Sequence, residues 1–379
     1  MDPDFESVRG LCSAELPYTN NTCSSSIRLY NVSNITSATM EEIKEVACHE
    51  YFHAIQNAYN YHNSWFKEAC ATWAANEIYD PIKYEDGNVI TTPLMMNKMN
   101  QFIEYETDNS IFSTNMYGAA IFPLTIEKLY GGYSAILSIY EEYINYGSSL
   151  TFSQLKNVIT AGIISNGYSN GNFDKAFLAM SAYLNEPNKH LSSVSNANFV
   201  NIFPGEKFEN FNSNILGDSY IINPYANSYY LVSLASLDTA NLTFNFCFDY
   251  TGVVVQIYTL NVYGQEIITE YIVSDSYLSI ELNDVGSDVD AIYITITNIN
   301  ESIEIAYNYY LTYIHTHNHN ASATSTGPLN HNCICSCGYS YTEMHNFMPF
   351  KAGNKCKDCG YYTTGPIIET QRIPSVEEE

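Results

Sequence analysis

The chain has 379 residues, with 15 Lys+Arg against 41 Asp+Glu and a formal net charge of −26. Phosphate backbones must be neutralised by basic side chains, so a nucleic-acid role is excluded, and an anionic membrane surface is disfavoured on the same ground. Hydrophobic residues at 46% allow sizeable cores, the length suits two or three domains, and no apolar run reaches the roughly 18 residues of a membrane span.

In chain order, Ser26–Val32 is the one strand expected ahead of the first helix. Helices follow over Glu41–Asn60, Ser64–Tyr79, Tyr117–Tyr130, Tyr133–Asn145 and Asn172–Leu184, each with apolar residues at three- and four-residue spacing. Gly131-Gly132 and Gly167–Gly171 separate them. No Lys or Arg stands between Lys207 and Lys351, and from about Ser219 the apolar period changes to two. Strands are expected at Leu242–Phe246, Val253–Leu260, Ile267–Val273, Leu278–Leu282, Ile292–Ile296 and Ile303–Leu311, the pattern of an antiparallel sandwich. His315–Asn330 is polar and reads as a linker whose histidines, His315 to His319, are solvated. A small cysteine module follows, and the acidic tail through Glu379 reads as disordered.

The first chemical motif is His49-Glu50-Tyr51-Phe52-His53, an H-E-x-x-H inside an expected helix. Residues four apart share a helix face, so both imidazoles reach one metal ion, for which zinc is expected. Glu50 sits beside them and does not ligate; it is the candidate base that takes a proton from water and returns it to the leaving amine. The stretch Glu41–Gln56 has no Gly or Pro, Thr39 or Ser37 can cap it, and Ile43, Val46, Phe52 and Ile55 supply apolar contacts.

A catalytic zinc needs a third protein ligand and an open position. The continuation H-x-x-G-x-x-H is absent, since Ala54-Ile55-Gln56 follows His53. The next helix offers Glu68 among Trp65, Phe66, Ala69, Ala71 and Trp73. A helix–turn–helix would bring its carboxylate back over the imidazoles; Glu77 is the alternative ligand. Tyr117 is the candidate oxyanion donor, with His62 as the alternative.

His49–Gln56 together with Trp65–Trp73 resembles the gluzincin-type zinc metallopeptidases. The nearest likeness is to secreted bacterial enzymes reading H-E-[FY]-F-H-A-[IV]-Q and then W-x-x-E-x-x-A-T-W. Tyr117–Phe122 and Tyr130–Gly132 share that likeness, which covers roughly residues 40–185. It implies a zinc peptidase with His49, His53 and Glu68 as ligands and Glu50 as base. Three departures stand out, the first being a His53-to-Glu68 interval shorter than in thermolysin-like enzymes. Thermolysin-like enzymes carry a carboxylate one turn after the ligand Glu to orient a histidine, whereas this chain has Thr72 there. The lobe ahead of the first helix is also short, with Ser26–Val32 as the only expected substrate-binding edge, which points to a missing N-terminal segment.

The second motif is Cys335-Ser-Cys337-Gly338 with Cys356-Lys-Asp-Cys359-Gly360. Two close pairs, each followed by Gly, match the spacing of structural zinc ribbons, in which four thiolates close a tetrahedral site that folds the module. Cys333 with Cys337, or His345, are alternative ligands, and a disulfide knot is the rival arrangement. The module resembles zinc-ribbon-like repeats of bacterial surface proteins. Cys12 and Cys23 are candidates for an N-terminal disulfide, which spacing alone does not decide. Cys48, Cys70 and Cys247 lie in apolar surroundings and read as core.

The expected architecture is an α+β multidomain protein. It has a mainly helical metallopeptidase domain at 1–210, an antiparallel β-sandwich at 211–314, a linker at 315–330, a zinc-ribbon-like module at 331–365 and a tail at 366–379. The expected function is zinc-dependent hydrolysis of peptide bonds, with one catalytic and one structural Zn2+. The expected partner is a protein or peptide substrate, without membrane insertion and with cell-surface association. Secretion or surface placement is expected although no signal peptide is visible in this chain. The alternative is a catalytically inactive surface protein whose sandwich binds a glycan or protein; the intact Glu50 favours the enzyme.

Overall fold

A computed structural model describes residues 8–17, 23–31, 40–59, 65–78, 98–102, 110–111, 116–146, 150–191, 206–211, 214–217, 219–234, 240–261, 263, 265–285, 289–315, 323–325, 330–334, 340–344, 347–350, 353–356 and 362–363. The architecture is α+β, with helices and several mostly antiparallel sheets.

The first unit is an antiparallel hairpin of β1 (Val8–Pro17) and β2 (Cys23–Asn31), with Cys12 opposite Ile27. Sequence periodicity shows only the second of these strands. The helices follow as α1 (Met40–Tyr59), α2 (Trp65–Ile78), α3 (Ile121–Leu129), α4 (Tyr133–Tyr143), α5 (Phe152–Ser165), α6 (Phe173–Tyr183) and the short α7 (Pro187–His190). The helix expected from Tyr117 begins instead as a 3-10 turn at Gly118–Ala120, which continues into α3.

Helix α5 is absent from the periodicity reading, yet its start is written locally. Thr151 accepts from the Gln154 amide, and the Gln154 side chain accepts from the Thr151 amide, a reciprocal cap. Gly162 lies inside α5 because a Cβ there would stand 2.4 Å from Ile139 Cα of α4. Its absence lets the two helices close on each other. Phe66, Cys70, Phe122, Ile136, Ile159, Phe173 and Phe177 form the buried centre of this helical layer.

Two five-stranded sheets follow. One has the order β3 (Glu206–Phe211), β6 (Ala226–Leu234), β11 (Val289–Asn298), β8 (Val253–Asn261), β9 (Glu266–Ile272). The other runs β10 (Tyr277–Val285), β7 (Ala240–Phe248), β12 (Ile305–His315), β4 (Ile215–Leu216), with β5 (Tyr220–Ile222) also on β12. They share one core that includes Val232, Val255, Ile294, Phe244, Phe246 and Leu311. The sheet is not wholly antiparallel, since β3 pairs parallel with β6. It also starts at Glu206, ahead of the boundary expected at 211.

In β7 burial alternates, as a strand with one covered face requires, but Val253–Tyr258 of β8 are buried without alternation. The helical layer covers that sheet's outer face. Asn185 donates to Thr295 Oγ1 at 3.1 Å, Tyr229 to the Ser181 carbonyl at 3.2 Å and Tyr293 to Glu186 at 2.9 Å. Tyr225, with a left-handed φ of 49°, is fully buried among Phe152, Phe173 and Phe177 and donates to Asp174 at 2.7 Å. The helices and the first sheet are therefore packed layers rather than beads on a string.

The span 315–330 is not a linker throughout. Residues 323–325 form β13 (Ala323–Ser325), paired antiparallel with β14 (Asn330–Ile334), which pairs with β15 (Ser340–Met344). Main-chain pairing holds this polar segment, and composition does not report main-chain pairing. A second three-stranded sheet joins β16 (Phe347–Phe350), β17 (Gly353–Cys356) and β18 (Tyr362–Thr363). Among the described residues no helix is long and apolar enough to cross a membrane.

Candidate metal centre

Helix α1 projects His49 and His53 from one face, and both are buried, at 4% and 7% exposure. The first turn of helix α2 carries Glu68, whose Oε2 stands 3.3 Å from His49 Nε2 and 3.2 Å from His53 Nε2. One donor atom from each of the three residues lies within 4.8 Å of the others. The two imidazoles meet edge to face, with ring centroids 4.6 Å apart. Two ring nitrogens and a carboxylate oxygen converging at helix–helix contact distance are the donor set that zinc accepts, with a fourth position left for water or substrate. Burial pushes the Glu68 carboxyl up, but hydrogen bonds to His49 and His53 outweigh it and hold the group well below the usual carboxylate range.

Glu77 does not join the cluster. It accepts from Tyr133 at 3.1 Å and lines a largely apolar cavity of about 220 Å³ together with Ile55, Trp73 and Leu137. Ile55, expected to supply apolar contacts, lines that cavity and is 38% exposed. His62 lies outside the described residues.

Glu50 is buried beside the cluster, at 7% exposure, and does not belong to the donor set. It lies against β1. A Cβ built on Gly10 would meet Glu50 Cγ at 2.3 Å and Oε1 at 2.5 Å, so the strand fits over this carboxylate only because residue 10 has no side chain. The Cys12 amide donates to it from the same strand. Burial raises the Glu50 pKa; the two histidines and the Cys12 amide oppose that only in part, and the Glu68 charge adds to it. A raised carboxyl is better matched to accepting and returning a proton near neutrality. The strand lying on the base is β1, which pairs only with β2 among the described residues.

Tyr117 stands at the mouth of the 3-10 turn, half-buried, its ring 5.7 Å from that of His49. Its pKa is pushed up to about 12, first by burial and then by the Glu68 and Glu50 charges, so the phenol keeps its proton and can donate.

The groups behind the ligands depart from the thermolysin-like pattern. Thr72 is fully buried, and its hydroxyl bonds neither histidine. His49 Nδ1 is buried without a hydrogen-bond partner among the described residues. His53 Nδ1 instead meets Gln56 Oε1 at 2.6 Å. The sequence signal for this contact is the spacing, since Gln56 follows His53 by three residues on an uninterrupted helix.

Of the cysteines, Cys335, Cys337, Cys359, Cys333 with its side chain, and the alternative ligand His345 fall wholly or partly outside the described residues; Cys356 is described only as the last backbone position of β17. Cys12 and Cys23 are free, not a disulfide: the register sets Cys12 opposite Ile27 and Cys23 opposite Pro17. Cys70 is fully buried, as expected, and Cys48 is partly buried. Cys247 is exposed, because Phe246 and Phe248 take the inward positions on β7 and leave it facing out.

No family model matches the chain, and no curated protein matches it. Solved structures resemble parts of it. TmCBM61 in complex with beta-1,4-galactotriose is 16% identical over 26% of this chain and 67% of its own, with a TM-score of 0.19. PliG of Aeromonas hydrophila, a periplasmic inhibitor of g-type lysozyme, is 7% identical over 29% of this chain and 99% of its own, with a TM-score of 0.21. A mutant of a family 29 carbohydrate binding module is 17% identical over 28% of this chain and 87% of its own, with a TM-score of 0.18. These scores carry no argument about function, which rests on the chain's own residues.

Proposed function

We propose that the chain is a zinc-dependent endopeptidase of the gluzincin type, acting on a protein or peptide substrate. The observation that carries this reading is the convergence of His49, His53 and Glu68 within 4.8 Å, with Glu50 buried beside them outside the donor set. These residues would hold zinc, which when bound supplies a Lewis acid and lowers the pKa of a coordinated water to about 7. Glu50 takes the proton from the attacking water on its carboxylate and delivers it to the leaving amine nitrogen. The Cys12 amide and the bare backbone at Gly10 keep that carboxylate in one place while it does so. Tyr117 donates its phenolic proton in a hydrogen bond toward the oxygen of the scissile carbonyl, where charge develops. The edge of β1 that is unpaired among the described residues offers main-chain groups to an extended peptide beside Glu50.

The finer organisation belongs to the same proposal. The helices with the β1–β2 hairpin form the peptidase part, and the two facing sheets are a sandwich appended to it. Cys335, Cys337, Cys356 and Cys359 hold a second, structural zinc in a ribbon-like module. Secretion or cell-surface placement belongs to the same proposal, and the likeness of His49–Gln56 and Trp65–Trp73 to secreted enzymes supports it.

The test is cleavage of an unstructured protein such as casein by the purified chain. Activity should vanish with chelator, return with zinc and be absent in Glu50→Gln. A chain that binds zinc at His49, His53 and Glu68 yet cleaves nothing would instead support the inactive surface-protein reading.

A further inference from the structure

We infer that Gln56 is the positioning residue of this centre: by accepting from His53 Nδ1 it leaves Nε2 as the nitrogen that ligates zinc. The inference rests on the proposed zinc site and extends it to a residue outside the donor set.

Hydrogen-bond chemistry alone sets the orientation of the Gln56 amide. Its nitrogen lies 2.9 Å from the Lys67 carbonyl, which can only accept, so the NH2 end must face that carbonyl. The same nitrogen is 2.7 Å from the Tyr140 hydroxyl. The amide oxygen is therefore the atom left for His53, at 2.6 Å from Nδ1. An amide oxygen only accepts, so His53 Nδ1 must carry a proton. With its proton held on Nδ1, the ring presents Nε2, the atom 3.2 Å from Glu68, as the nitrogen a metal ion would take. Gln56 is 1% exposed, so water does not compete for these bonds.

The three contacts also join three elements. Gln56 and His53 sit on α1, Lys67 immediately precedes Glu68 on α2, and Tyr140 belongs to α4. One side chain thus ties the histidine-bearing helix to the carboxylate-bearing helix next to the carboxylate itself. Among the described residues His49 Nδ1 has no such support and Thr72 supplies none, so the support that Gln56 gives goes to His53. Outer groups of this kind commonly govern metal affinity by about 10–100-fold.

The experiment uses the full chain and measures zinc affinity by competition with a chromophoric chelator. Gln56→Met keeps the length and removes the acceptor, and it should weaken zinc about 10–100-fold. Gln56→Glu keeps an acceptor toward Nδ1 and should recover part of the loss. Tyr140→Phe removes only the outer partner of Gln56 and should weaken zinc less than Gln56→Met, in the same direction. Nitrogen NMR of the zinc-loaded wild-type chain should show His53 bound through Nε2 with its proton on Nδ1. A purely structural role would not set that tautomer. Wild-type affinity in Gln56→Met, with His49→Ala losing zinc, overturns the inference and leaves the zinc site standing. Unchanged affinity in His49→Ala overturns both. If Gln56→Met fails to fold, the NMR decides: a proton on Nε2 overturns the inference with no variant needed.

Discussion

Gly10→Ala tests whether the β1 strand positions the catalytic base. The new methyl carbon would lie 2.3 Å from Glu50 Cγ, 2.5 Å from Oε1 and 2.7 Å from Cδ. Carbon atoms in contact rest at about 3.5–4.0 Å, so either the carboxylate or the strand must move by more than about 1 Å. The Glu50 side chain is the softer of the two, because β1 is held along its length by β2. A misplacement of about 1 Å at a reacting group can lower rate about 100-fold. Overpacking should also destabilise the fold by about 1–3 kcal/mol. Zinc should stay, since neither histidine nor Glu68 is among the atoms nearest the new methyl. The assay is kcat/KM on casein-derived peptides beside zinc content and thermal unfolding of the same preparation. A loss of rate near 100-fold at unchanged zinc content is expected. Wild-type kcat/KM in a folded Gly10→Ala chain would show that Glu50 does not depend on β1, and the account of the base would fail.

Glu50→Gln should retain zinc and lose most cleavage, because a neutral amide cannot accept the water's proton. The same variant has a signature in stability. Burial raises the Glu50 pKa in the zinc-free fold, so the folded chain binds that proton more tightly than the unfolded chain. Its contribution is therefore present below the unfolded value and lost as pH rises through the folded one. Chelator-treated Glu50→Gln should gain in melting temperature over wild type as pH climbs through that window, and parallel pH curves would contradict the burial argument. Glu68→Ala should lose zinc from the first site while Glu77→Ala, whose carboxylate is held by Tyr133, should keep it; dialysis and metal analysis distinguish them. Tyr225→Phe removes a bond to Asp174 at the contact between helices and sheet, and should cost about 1–3 kcal/mol in urea unfolding. Cys356→Ser and Cys359→Ser should each remove one of two zinc per chain and leave cleavage intact. Full oxidation of Cys335, Cys337, Cys356 and Cys359 by mass spectrometry would replace the second zinc by disulfides.

The pairing of His49 with His53 was legible without coordinates, because four-residue spacing on a helix is a local property of the chain. The helices around it, observed at Met40–Tyr59 and Trp65–Ile78, lie within a residue or so of the periodic stretches. Helix α5 is missing from the sequence reading although both its Thr151–Gln154 cap and the helical spacing of Leu155, Val158, Ile159 and Ile163 are local signals. Strand β7 announces itself by alternation, as one covered face requires. Tertiary structure decided the rest. That Gly10 lies on Glu50 and that Gln56 reaches both Lys67 and Tyr140 depends on elements meeting across the fold, and no spacing encodes such a meeting. The unbroken burial of Val253–Tyr258 reflects a helical layer supplied by distant residues such as Ser181 and Asn185. Cys247 faces out for a one-residue reason, since a strand's period of two sends neighbours to opposite sides and pairing alone selects which side is core. Local geometry is set by torsions within a few residues, whereas the partner across a contact is set by the packing of the whole chain.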